Sequence, residues 1–284
     1  MKKIIKEVDK ERGIVQVTTA DERWYVIDSE SKITGLPEYK YIPSVTWISG
    51  HYPKGIAFYK WLADKGWDEA EAIKSAAGDK GSKVHKAIEW WLKGNEVRID
   101  SKFQNPTTEQ VEELTLDEYN CVKSFTDWWI ENKPELLKTE IVVVSEKYGY
   151  AGTLDLIVKI NGEVWIVDIK TGQSVWPEYE LQLSAYKQAA WVEESLFEEK
   201  PKLAILQIGY KRNKNNYKWN EIEDKFPLFL AARQIWANEN DGTIPAQKDY
   251  PIVLPMFPKA GELGEPKETK PVEKPKRSDR KQVR

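Results

Sequence analysis

Besides Lys159 and Glu163 near its middle, two carboxylates and an amine interrupt one of the most apolar stretches of the chain, "GTLDLIVKINGEVWIVDIKTG", as Asp155, Asp168 and Lys170. Its Val, Ile, Leu and Trp runs are those of buried strands. Asn161-Gly162 between the two runs is the strongest short hairpin signal. With a two-residue turn, Ile160 faces Glu163. Counting outward puts Asp155 opposite Asp168 and Thr153 opposite Lys170, all on one face. Opposed Cβ atoms in a ladder lie about 4.5–5.5 Å apart, where like charges destabilise. A hard divalent cation, Mg²⁺ or Mn²⁺, relieves that repulsion by binding both carboxylates. Lys170 alone neutralises only one of them. The alternative is a purely structural Asp–Lys–Asp cluster, but buried ion clusters stabilise less than apolar packing.

Other residues could join this site. His85 and Glu89 stand four apart in a helical pattern and so share a face. Glu146 ends the strand-like run before Asp155, a second candidate carboxylate ligand. Gln182 and Tyr186 are again one helical turn apart, able to hold a phosphate, a base or a metal-bound water, or simply to bond at the core edge. Thr171, Trp176 and Tyr179 lie beside the motif, and aromatic faces can stack on bases. Lys211 and Arg212, in "GYKRNKNN", are either a phosphate-facing hairpin tip or a solvated turn. Ser82 is read as a helix N-cap and a candidate nucleic-acid contact.

With "GTLDLI" and "VDIKTG" in order, the chain resembles the PD-(D/E)XK nuclease superfamily, in particular its RecB-like and phage exonuclease-like members. "GSKVHKAIE" looks like that group's histidine-bearing helix, and "LQLSAY" is similar to its Gln-x-x-x-Tyr signature. "YIPSVTWI" and "PKGIAFYKW" look like the N-terminal part of phage and mitochondrial-type relatives. The resemblance implies a restriction-endonuclease-like α/β core, a central mixed sheet flanked by helices, with one or two Mg²⁺ or Mn²⁺ ions at the sheet end. It implies His85, Asp155, Asp168 and the Ile169 carbonyl as ligands, with Glu89 and Glu146 as further candidates. Catalytic roles then fall to Asp155, Asp168, Lys170, Gln182 and Tyr186. Lys170 would stand near the attacking water or a phosphate oxygen. Some relatives carry four cysteines for an iron–sulfur cluster, whereas this chain has only Cys121, so no such cluster is expected.

These residues need a scaffold. The 284 residues are 40% hydrophobic with 13 Trp, ample for a core. Residues 1–258 read as one domain: an N-terminal helical and strand elaboration over about 1–80, a catalytic core over about 81–222, and a helix over about 224–240. Helices are expected at "DEAEAIKSAAGD", at "GSKVHKAIEWWLKGN" and along "NPTTEQVEELTLDEYNCVKSFTDWWIENKPE". Residues 259–284 read as a disordered basic Pro/Lys-rich tail. The last twenty carry eight Lys/Arg against four Asp/Glu, about +4, against a net charge of −3 for the whole chain. No signal peptide or membrane span is read, so a cytoplasmic location is expected, the host cell's cytoplasm for a phage protein. The expected function is a metal-dependent deoxyribonuclease, an exonuclease of recombination, repair or replication processing, with phage origin suggested by the resemblance. The alternatives are a structure-specific or nicking endonuclease and a non-cleaving DNA-binding module. DNA is the expected partner, with an annealing protein, single-strand-binding protein or helicase as protein partners.

Overall fold

The computed structural model describes residues 4–19, 22–28, 39–240, 242–243 and 245. Four strands open the chain: β1 (Ile4–Asp9), β2 (Ile14–Thr18), β3 (Arg23–Asp28) and β4 (Tyr39–Pro43). Three helices follow: α1 (Val45–Ser49), α2 (Ile56–Lys65) and α3 (Trp67–Leu92). A small hairpin, β5 (Lys102–Gln104) and β6 (Val111–Glu113), leads to α4 (Leu116–Asn132). The central strands are β7 (Glu135–Ser145), β8 (Tyr150–Ile160) and β9 (Glu163–Lys170). Next come α5 (Pro177–Lys187), a π-helical turn (Gln188–Glu193), β10 (Lys202–Ile208), β11 (Tyr217–Ile222) and α6 (Phe226–Asn240).

The β8–β9 turn forms because Asn161 and Gly162 both take positive φ, 51° and 84°, as a type I′ hairpin requires. The ladder then runs from Ile160↔Glu163 to Leu156↔Val167 in the expected register. The five-stranded sheet has the order β11-β10-β9-β8-β7 and is mixed, because β9 and β10 pair in parallel while its other pairs are antiparallel. β9 lies centrally, buried from Val164 to Ile169, which explains its continuous apolar run. On one face Leu156, Val167 and Leu206 pack with Val84 and Ile88 of α3 and Phe125 of α4. On the other, Ile166 and Ile205 pack with Leu181 of α5 and Phe229 of α6. The α/β fold with helices on both sides of a mixed sheet is therefore as expected.

The first four strands form a separate antiparallel sheet in sequence order. Its β1 and β2 went unread because "IIKEVD" and "IVQVT" are short, and β1 lacks the regular alternation that marks a strand. One face sets Ile14, Tyr25 and Ile42 against Val142, Val144 and Ala151 of the central sheet. The other sets Trp24 against Trp47, ring centroids 4.9 Å apart, and against Trp236 of α6.

Two helix expectations are corrected. The helices expected at "DEAEAIKSAAGD" and "GSKVHKAIEWWLKGN" are one 26-residue helix, α3. Ser82 is thus no N-cap; it lies mid-helix, its hydroxyl donating to the Gly78 carbonyl. Glycines at 78 and 81 cost a helix about 1 kcal/mol each, and the buried face of Val84, Ala87 and Ile88 outweighs that. The long helix expected from Asn105 begins only at Leu116, where Thr115 and Glu118 form a capping box; the residues before it form β5 and β6. The expected boundary at 258 and the tail 259–284 lie outside the described residues.

Candidate active site

The site forms where the β8–β9 ladder ends, between α3 on one side and α5 on the other. Past Leu156↔Val167, the Asp155 carboxylate accepts the N–H of Ile169 at 2.8 Å. α3 delivers His85, whose Nε2 lies 3.0 Å from the Ile169 carbonyl. A carbonyl only accepts, so Nε2 carries a proton. That leaves Nδ1 facing Asp155 Oδ1 at 3.5 Å and Glu140 Oε1 at 3.7 Å. The Ile169 carbonyl therefore orients the histidine. α5 delivers Gln182, whose amide donates to Asp168 Oδ1 at 3.3 Å and to the Tyr186 hydroxyl at 2.9 Å. Lys170 Nζ stands 2.6 Å from Asp168 Oδ2 and 4.6 Å from the centre of the Tyr179 ring.

Electrostatics separate the two aspartates. Burial and the neighbouring Asp155 charge outweigh Lys170, raising the Asp168 carboxyl to about 6. Burial also works to raise Asp155, but His85, Lys170 and the Ile169 N–H prevail and hold it below the usual carboxylate range. Burial would lower His85, yet Asp155 and Glu140 carry it well above the ordinary imidazole value. For Lys170, burial pulls downward and the two aspartates outweigh it, so the amine stays charged.

Glu140 is the residue that sequence reasoning missed. It lies in β7 between the pairs Thr139↔Leu156 and Ile141↔Leu154, hence across from Asp155. Its φ of 50° is left-handed, a strained state for a non-glycine residue and one that clusters at functional sites. A lone Glu inside "TEIVVVS" was the available signal.

Glu146, chosen in its place, sits exposed in the turn after β7 and joins no cluster. Glu89 is also drawn elsewhere, paired with Lys86 and with Lys93, the latter at 2.7 Å. Ser82 is exposed on α3, and Thr171 Oγ1 lies 3.9 Å from where a Cβ on Gly81 would stand. Trp176, half-exposed, sits at the N-cap of α5, and Tyr179 is partly buried beneath Lys170. Lys211 pairs with Asp117 at 3.0 Å in the β10–β11 connection, with Arg212 exposed beside it.

The donor set fits a hard divalent cation. One ligand atom each from His85, Glu140 and Asp155 lies within 4.8 Å of the others. Asp168 adds a buried Oδ2 that has Lys170 beside it but no aligned hydrogen-bond donor, leaving lone pairs for a cation. Carboxylate oxygens with one imidazole suit Mg²⁺ or Mn²⁺.

No curated protein matches the chain. Among solved structures, it is similar to an alkaline exonuclease from Laribacter hongkongensis, at 12% identity over 70% of this chain and 87% of that one, with a TM-score of 0.35. A structure of that exonuclease in complex with dAMP gives 13% identity, coverages of 68% and 83%, and a TM-score of 0.33. A putative exonuclease from Eubacterium rectale gives 14%, 56%, 67% and 0.33 in the same order. Likeness of this degree carries no weight; the sequence match does. The model of the PD-(D/E)XK nuclease superfamily matches residues 57–250, more than half of the chain, and covers all of the site just described. The chain belongs to the PD-(D/E)XK nuclease superfamily.

Proposed function

We propose that the chain is a metal-dependent deoxyribonuclease that degrades DNA from its ends, using Mg²⁺ or Mn²⁺ held by His85, Glu140, Asp155 and Asp168. The observation that carries this reading is the convergence of the first three on one point beside the buried Asp168–Lys170 pair. A divalent ion bound there would polarise the scissile phosphate and make its bound water acidic. The residues of the chain do the rest. Lys170, held charged by the aspartates and braced on Tyr179, faces the negative charge that develops on the phosphate. Gln182 fixes the Asp168 carboxylate, and Tyr186 fixes Gln182. The Ile169 carbonyl keeps the Nδ1 lone pair of His85 aimed at the cluster.

The proposed setting is recombination, repair or replication processing in a cytoplasm, with phage origin and an annealing protein, single-strand-binding protein or helicase as partner. No helix among the described residues is long and apolar enough to cross a membrane. The test incubates end-labelled linear DNA and closed circular DNA with the protein and either metal. Loss of linear DNA alone supports the exonuclease. Nicked circles would replace it with an endonuclease, and bound, intact DNA with a non-cleaving module.

A further inference from the structure

Residues 4–43 lie outside the stretch matched by the family model, which starts at residue 57. Their sheet is nevertheless tied into the active site. Lys6 pairs with Gln16 across β1–β2, and Gln16 pairs with Tyr25 across β2–β3, so the three form one cross-strand row on one face. The row is bonded inward: Gln16 Nε2 donates to the Tyr25 hydroxyl at 2.9 Å, and that hydroxyl lies 3.0 Å from Thr153 Oγ1. Thr153 is two residues before Asp155 on β8 and so shares its face. A second tether holds the other end of the sheet. Arg12, in the β1–β2 turn, reaches the Val142 carbonyl of β7 and Glu194 Oε1 at 3.1 Å.

Between these tethers the sheet presents two cations. Arg23 is exposed on β3 and shares the face of Tyr25, two residues on; Lys6 is exposed on the edge strand. Lys6 neighbours Gln16, which is bonded through Tyr25 to Thr153, so Lys6 stands on the side of the sheet that faces the His85–Glu140–Asp155 cluster, where the charges of Glu140, Glu89, Lys86 and Arg23 act on it. Lys86 and Arg23 repel the Lys6 ammonium, and Glu140 and Glu89 attract it. A DNA strand entering the site brings the opposite charge to these cations.

We propose that the exposed Lys6–Arg23 end of this face of the N-terminal sheet is a wall of the DNA cleft, with Lys6 and Arg23 binding backbone phosphates next to the one cleaved. This rests on the nuclease reading and adds to it a phosphate-binding surface outside the matched family region. Phosphate contacts position a strand without reading its sequence, so the wall serves affinity and register.

The experiment has two arms. Anisotropy of a labelled oligonucleotide in EDTA reads binding against salt concentration, independently of cleavage. Steady-state cleavage of linear DNA with Mn²⁺ reads KM and kcat. Lys6→Ala and Arg23→Ala are each expected to lower the salt slope of binding by about one and to raise KM about three- to tenfold, with the loss mainly in KM. Lys6→Arg should recover most of the loss. Lys10→Ala, in the exposed β1–β2 turn, should match the parent protein. Lys6→Gln serves if the alanine variant folds poorly. Parental KM and salt slope in both Lys6→Ala and Arg23→Ala would overturn the wall. A parent protein that binds DNA without cutting it would overturn the nuclease reading instead, and the slopes would still decide the wall.

Discussion

Gly152 faces Tyr186 so closely that a Cβ at position 152 would stand 2.5 Å from ring carbon Cε1. The φ of this glycine is not in the left-handed region, so what position 152 requires is the absence of a side chain. Tyr186 is 3% exposed and has little room to withdraw. Gly152→Ala should therefore cost about 1–3 kcal/mol by overpacking. It should also reduce cleavage, because the displaced Tyr186 releases Gln182 and with it Asp168. Thermal melting and cleavage rate measured on one sample check both effects, and Gly152→Ala with unchanged melting would contradict the close approach.

The two aspartates should respond oppositely to neutralisation in the metal-free protein. Asp168→Asn removes a carboxylate whose ionised form burial opposes, so melting should hold or rise. Asp155→Asn removes one whose ionised form His85, Lys170 and a backbone N–H outbid burial to favour, so melting should fall. Both should abolish cleavage and shrink the rise in melting caused by Mn²⁺. Calorimetry of the two variants with and without metal separates them.

The pH dependence follows with its sign. Because Asp168 in the folded protein titrates near 6, above its ordinary 3.8, its ionisation removes stability as pH rises through 6. The advantage of Asp168→Asn over the parent should thus be larger at pH 7.5 than at pH 4.5. Metal competes with the same proton, so Mn²⁺ affinity should climb from pH 5 and go on climbing above the Asp168 value. The raised His85 must also lose a proton to bind metal through Nδ1. Titration calorimetry in buffers of differing ionisation enthalpy counts the protons released, and none released at pH 6 would refute the shared site.

Lys170→Met keeps much of the side-chain volume and deletes the charge. Loss of one preorganised electrostatic group typically costs about 10²–10³ in rate, while Mn²⁺ binding should survive. Tyr179→Leu, which removes only the ring beneath the ammonium, should cost less than tenfold. Equal damage from both substitutions would assign the rate to packing.

Residues 265–284 carry about +4 by sequence. Ending the chain at Gly264 should weaken DNA binding at low salt and leave the rate at saturating DNA unaltered. The difference should fade as salt rises. Identical salt slopes for both lengths would point to a protein partner for this segment.

The legible part of the site was the part whose geometry is local. Asn161-Gly162 permits one tight turn, and that turn set the ladder register from Ile160↔Glu163 to Leu156↔Val167, just short of the two aspartates. His85, Gln182 and Tyr186 were picked out by their likeness to family motifs, while helical spacing alone linked His85 to Glu89, which pairs with Lys86 and Lys93 instead. Glu140 was hidden by non-local geometry. β7 shifts register between Leu136 and Lys138, and Glu140 itself is left-handed, so strand alternation could not say what it faced. Glu146 attracted attention only because it stands nearer to Asp155 in sequence. The expected break in α3 failed for the reverse reason: local glycine propensity pointed to an end that tertiary packing overrode. β1 is an edge strand that carries Lys6, Glu7 and Asp9, and only the docking of this sheet on β7 and β8 makes sense of it.

The composition of one core cluster separates inheritance from self-sufficiency. Val17, Trp24, Val26, Val45 and Ile48 precede residue 57, yet they pack in the same cluster as Leu181, Tyr186, Phe229 and Trp236. The stretch matched by the family model therefore does not close this core by itself. A chain begun at residue 57 would open this cluster to water and leave Tyr186 without its outer wall, inviting aggregation before any question of catalysis arose. The residues ahead of the matched stretch thus help to close the core on which the active site is built.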